Sequence, residues 1–255
     1  MKRSRLCRRV FAGSVGVAMA VLAVAWLGTS ASAETGGSPA SAFGPAPEPP
    51  ASYWQVGYYT PSPKGTLSYA EAFRGSGIAS LNFTSLPNTA LLITGQKAKY
   101  PSLLGNRSAA TSISTSFTLS SVTGLFKYFG EPSCGLPAQD GGPTANFRFY
   151  FQTSNAGGFN ETHYWWSNPV SWPLTGPKPN ETMTLKNPFG SGSGAFWSDY
   201  FGHFGSDPAY KAGFEEAISN ITDVGVSFGG GCFFENGVGE ANASGTFTLN
   251  TFKVE

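Results

Sequence analysis

SISTSFTL, residues 112–119, alternates apolar and polar positions without a break. Ile113, Thr115, Phe117 and Leu119 fall on one side, and Ser112, Ser114, Ser116 and Thr118 on the other. Successive side chains of an extended strand point to opposite faces, so the first set reads as buried and the second as facing water. The same period of two recurs in NFRFYF (146–151), VGVSF (224–228) and TFTLNTFKV (246–254). Further short strands are predicted at 54–59, 67–73, 78–84, 90–94, 125–129 and 183–186, set apart by clusters of Gly, Pro and Asn. Such a series predicts an all-β chain of two packed antiparallel sheets, a β-sandwich for which the jelly roll is the best single topology.

One segment departs from this period and predicts a single short helix. In Asp207-Pro208-Ala209-Tyr210, Asp207 suits an N-cap, and Pro208 stands where its missing N–H costs nothing. Tyr210, Phe214, Ala217, Ile218 and Ile221 then recur at helical spacing, one apolar stripe able to close an end of the sandwich, and the helix should stop near Asn220.

The ends of the chain's organisation are read from composition. Residues 1–33 have the form of a signal peptide: Lys2, Arg3, Arg5, Arg8 and Arg9, an apolar run from Val15 to Leu27, then Ala31-Ser32-Ala33. Cleavage is expected after Ala33, giving an extracellular product; an uncleaved signal is the one route to a membrane. Arg8-Arg9-Val10-Phe11 partly matches a twin-arginine signal, so that route and the general secretory route both stay open. Residues 34–51, ETGGSPASAFGPAPEPPA, are too rich in Pro, Gly, Ala and Ser to repay the entropy of ordering and read as a linker. Residues 52–255 remain as one β-sandwich domain.

Removing the signal takes five of the 16 basic residues and none of the 15 acidic ones, which leaves 11 against 15 and a net charge of −4. That charge gives no footprint for nucleic acid and none for an anionic membrane surface. It also leaves two cysteines, Cys134 and Cys232, in a compartment where disulfides persist, and they are expected to pair. Closing so long a loop contributes about 4 to 5 kcal/mol on the chain-entropy model.

The chemistry is sought in residues 147–172, FRFYFQTSNAGGFNETHYWWSNPVSW, where nine of twenty-six side chains are aromatic. Flat indole rings suit the faces of sugar rings, and they suit a sandwich core equally well. Tyr164, Trp165, Trp166 and Trp172, with Trp197 further along, are the candidate ligand-binding residues. Because neighbours on a strand face opposite ways, Trp165 and Trp166 cannot share one core: one packs inward, and the other faces solvent or lies under a loop such as residues 187–196.

Catalysis has weaker support. Glu161, Glu181, Asp199, Asp207, Glu235 and Glu240 lie near aromatics or glycines, but no two acids stand two residues apart to share a strand face as a glycosidase pair. His163 and His203 have no serine or cysteine arrangement that marks a nucleophile. Gly229-Gly230-Gly231-Cys232 lacks the Lys-Ser/Thr ending of a phosphate loop. No cofactor and no metal set is expected, although Asp140 and Asp199 have oxygens that suit a structural calcium.

The series FRFYFQT (147–153), YWWSNP (164–169), WSDYFG (197–202), VGVSFGGGCFFENGVG (224–239) and GTFTLNTFKV (245–254) resembles a family of secreted bacterial jelly-roll domains of carbohydrate-binding type. The resemblance covers the C-terminal half and only loosely the part before Ser112. The family is uncharacterised and has no assigned catalytic residues, so the resemblance implies the fold and a secreted domain and assigns no residue a role. The expected function is non-catalytic recognition of carbohydrate or cell-wall material; a structural or adhesion role at the envelope and a polysaccharide hydrolase are the alternatives.

Overall fold

The architecture is described from a computed structural model, for residues 53–59, 67–72, 77–83, 88–128, 144–174, 180–230, 237–239 and 243–255. The signal at 1–33, the linker at 34–51, Asp140 and both Cys134 and Cys232 lie outside the described residues. In chain order the strands are β1 (Gln55–Tyr59), β2 (Leu67–Glu71), β3 (Ala79–Asn82), β4 (Thr89–Thr94), β5 (Ser112–Thr123), β6 (Lys127–Tyr128) and β7 (Asn146–Thr153). They continue with β8 (Tyr164–Ser167), β9 (Trp172–Pro173), β10 (Thr182–Pro188), β11 (Trp197–Ser198), β12 (Ile221–Gly229), β13 (Val238–Gly239) and β14 (Ser244–Val254). Among the described residues one α-helix, α1, covers Lys211–Ser219. No helix among these residues is long and apolar enough to cross a membrane.

The strands form two antiparallel sheets. The small one runs β10-β5-β14-β3, and the large one runs β11-β8-β7-β12-β4-β1-β2, with the short β6, β9 and β13 attached to it. Eight strands carry the topology. Taken in chain order as β3, β4, β5, β7, β8, β10, β12 and β14, the first pairs with the last, β4 with β12, β5 with β10 and β7 with β8. This nested pairing is a long hairpin rolled over on itself, the jelly roll that the strand pattern predicts. The hairpin β1–β2 extends one edge of the large sheet and β11 the other.

The alternation holds from Ile113 to Leu119: Ile113, Thr115, Phe117 and Leu119 are buried between the sheets, while Ser112, expected to face water, is buried as well. Phe117 and Phe247 of the small sheet meet Phe147 of the large one at ring-centroid distances of 4.6 and 5.6 Å. Such pairs contribute about 0.5 to 1.5 kcal/mol each beyond the area they bury. The outer face of the small sheet is a ladder of hydroxyls, among them Ser80 with Thr248 at 3.2 Å and Ser116 with Thr251 at 2.7 Å.

The large sheet behaves differently, because both its faces are covered. Every residue of β4 is buried. On β7, Phe147, Phe149 and Phe151 face the small sheet, whereas Arg148, Tyr150 and Gln152 are buried on the opposite side. A second cluster of Leu91, Ile93, Tyr150, Tyr164 and Trp166, flanked by Tyr59, Leu67, Tyr69 and Tyr200, fills that side. Gly225 of β12 allows the close approach of β4, since a Cβ there would lie 2.1 Å from the Leu92 carbonyl oxygen.

The helix starts one turn later than the sequence suggests. Asp207 accepts backbone N–H bonds from Tyr210 and Lys211 at its carbonyl, but its carboxylate turns back to the N–H of Phe204 at 3.3 Å. Tyr210 is the residue before the first helical one and makes no side-chain cap. The end at Asn220 is as expected. Phe214, Ala217 and Ile218 are buried, and Ile221 belongs to β12 rather than to the helix. The helix closes one end of the sandwich, with Phe214 against Trp165 at 5.0 Å and Phe151 at 6.1 Å.

Candidate functional site

The alternation along β8 separates the two tryptophans. Trp165 lies opposite Phe151 and packs into the main core, where its indole N–H donates to the Thr162 carbonyl at 2.6 Å. Trp166 lies opposite Tyr150 on the other face, 5.1 Å from that ring. Both are buried. The cover over Trp166 comes not from residues 187–196 but from Tyr200, 6.4 Å away, in the loop that follows β11. Tyr164 and Trp197 are buried as well, the latter between Phe151 and Phe189 at 4.9 and 5.2 Å, and Trp172 on β9 is half-buried. No ring face of Tyr164, Trp165, Trp166 or Trp197 is open to a ligand in this conformation.

The exposed aromatics lie one layer further out. The loop after β11 is a tight turn closed by Asp199 N–H to the His203 carbonyl and Gly202 N–H to the Asp199 carbonyl, at 2.9 and 3.0 Å. Gly202 at φ +87° supplies the left-handed residue that this turn requires. Asp199 is the anchor: its carboxylate is fully buried, and Oδ1 accepts the N–H groups of Phe201 at 3.0 Å and His203 at 2.8 Å. Its Oδ2 lies 3.0 Å from His203 Nδ1. With both oxygens engaged by N–H groups, Asp199 is not disposed to hold a calcium ion. Among the described residues no three His, Cys, Asp or Glu side chains group as a metal site.

This turn puts Phe201 at its tip, 63% exposed. Phe159, 38% exposed, comes from the loop before β8 and packs on Tyr200 at 5.1 Å and Phe201 at 6.3 Å. That loop leads into a single 3-10 turn, Glu161–His163, which Asn160 caps by accepting the Thr162 N–H at 3.0 Å. On the other side of Phe201, His203 stacks on Tyr210 with centroids 3.9 Å apart and planes 6° from parallel. Phe159, Tyr200, Phe201, His203 and Tyr210 therefore form one continuous aromatic surface, standing on Tyr164 and Trp166. The signal for it was an acid four residues before a histidine with a glycine between, in DYFGH (199–203).

A second constellation is buried under the same surface. Tyr150 Oη donates to Gln152 Oε1, and Gln152 Nε2 donates to Asp223 Oδ2 at 3.0 Å. A bulge in the pairing of β12 with β7 brings Asp223 opposite Gln152. Burial pushes the Asp223 carboxyl up to about 6, against the opposing pull of hydrogen bonds from Thr222 and Gln152. Tyr69 is raised by burial and by the Asp223 charge, and burial brings Arg148 down to about 10. These polar groups were not picked out from the sequence, where the period of two in residues 146–151 puts Arg148 on the face opposite the phenylalanines.

Comparison with known protein families gave no match, and comparison with characterised proteins gave no similar sequence.

Proposed function

We propose that this chain is an exported, non-catalytic recognition module that binds carbohydrate or cell-wall material through aromatic side chains, as one of the secreted jelly-roll domains it resembles. The ligand face in this reading is the surface of Phe159, Tyr200, Phe201, His203 and Tyr210. The observation that carries it is the exposure of Phe201, held out at the tip of a turn that a buried carboxylate locks in place. An apolar ring kept in water by a rigid support loses apolar contact that folding alone would have used, and a flat partner restores it. The test is retention on a panel of insoluble polysaccharides, with the double variant Phe159→Ala/Phe201→Ala beside the wild type. Retention of the wild type and its loss in the variant, with unchanged thermal stability, support the reading; a wild type that no glycan retains refutes it.

A structural or adhesive role at the envelope is the second reading. The burial of Tyr164, Trp165, Trp166 and Trp197 favours it, because rings spent on the core leave less of the surface for a sugar. Hydrolysis has less to draw on: among the described residues Asp223 is the one acid with a raised carboxyl, and it is buried, accepting from Gln152 Nε2.

A further inference from the structure

We infer that His203 is the polar, specificity-determining group of the aromatic surface, presenting Nε2 as an acceptor for a sugar hydroxyl; this rests on the recognition reading above. Three features of the ring lead there. Its Nδ1 is 3.0 Å from a carboxylate oxygen, so the proton of the neutral imidazole sits on Nδ1 and the lone pair on Nε2. One ring face is covered by Tyr210. The side chain is nevertheless 38% exposed while Asp199 is fully buried, and the ring lies 6.3 Å from that of Phe201, so the edge away from Asp199 is the one we assign to the ligand.

A patch of phenyl rings alone stacks on any flat apolar face. A fixed acceptor at its edge distinguishes a ligand with a hydroxyl at that place from one without, because a ligand lacking the hydroxyl covers the acceptor and leaves it unpaired. Asp199 acts through His203 as a positioning residue and touches no ligand itself. It also fixes the turn through two backbone N–H groups, so tautomer and loop shape are set by one carboxylate.

Asp199→Asn separates these two jobs. The amide oxygen still accepts the N–H groups of Phe201 and His203, while its NH2 now donates to Nδ1 and moves the ring proton to Nε2. The outward atom changes from acceptor to donor with the loop intact. The experiment is nitrogen-detected NMR of the histidine rings together with affinity for a polysaccharide that retains the wild type, measured on the full exported chain and on Asp199→Asn, His203→Ala and Phe201→Ala. Expected are an Nδ1–H tautomer for His203 in the wild type and Nε2–H in Asp199→Asn, with about tenfold weaker binding in both Asp199→Asn and His203→Ala. Should Asp199→Asn fail to fold, His203→Ala and the wild-type tautomer decide the matter. Loss of binding in Phe201→Ala with wild-type affinity in His203→Ala overturns the role of His203 and leaves the recognition reading standing. A wild type that binds no glycan overturns both.

Discussion

Replacing Asp223 by Asn should stabilise the protein, and by an amount that depends on pH. The carboxyl is buried and titrates near 6 in the fold against its ordinary 3.8. The folded state therefore holds the proton over a range in which the unfolded chain has already lost it. Stability from this group is fully present below about pH 4, falls as pH rises, and is at its lowest above about pH 7. A difference of about two pH units corresponds to about 3 kcal/mol. Asparagine keeps an oxygen for Gln152 Nε2 and carries no charge to desolvate. Its gain over wild type should grow from near zero at pH 4 to about 3 kcal/mol at pH 7.5, roughly 6 to 12 °C in Tm for a domain of this size. Urea unfolding of both proteins at pH 4, 5, 6 and 7.5 reads this directly. A constant offset between variants belongs to hydrogen bonding or packing, so only the slope with pH is diagnostic. A difference that does not change with pH, or that moves in favour of aspartate as pH rises, refutes the reasoning.

Other consequences can be checked on the same material. Trp165→Ala and Trp166→Ala should each destabilise by about 3 to 5 kcal/mol in urea unfolding, since both rings fill buried space on opposite faces of β8. Phe201→Ala should stay within about 0.5 kcal/mol of wild type in the same assay, as expected of an exposed side chain. Gly225→Ala should cost roughly 1 to 3 kcal/mol, because the added methyl meets backbone of Leu92 and Ile93 that no side-chain rotation relieves. Peptide mapping without reduction should show Cys134 joined to Cys232; two free thiols would contradict the expected pairing.

The strands were legible because period two is a property of the chain itself. Residues 112–119, 224–228 and 246–254 each form part of a strand, and the opposed directions of Trp165 and Trp166 follow from adjacency alone. What covers a face is not a local property. Arg148 alternates with phenylalanines and by period two faces away from the core, yet it and Gln152 are buried on the side that the second aromatic cluster fills. A hint was present in TALLIT of β4, a continuous apolar run of the kind that marks a strand buried on both sides. The aromatic surface was hidden for a related reason. Tryptophans drew attention as the largest flat rings, and the core claimed them because they bury the most area. The smaller Phe159 and Phe201 were left outside, on loops whose shape depends on Asn160 and Asp199 rather than on periodicity.

The most direct measurement is an NMR titration of the labelled chain with soluble oligosaccharides cut from the polysaccharide that retains it. The proposed ligand face predicts shifts confined to Phe159, Tyr200, Phe201, His203 and Tyr210, with the Trp165 and Trp166 indole signals unmoved. Shifts centred on another part of the sandwich, or none with any sugar, would contradict it.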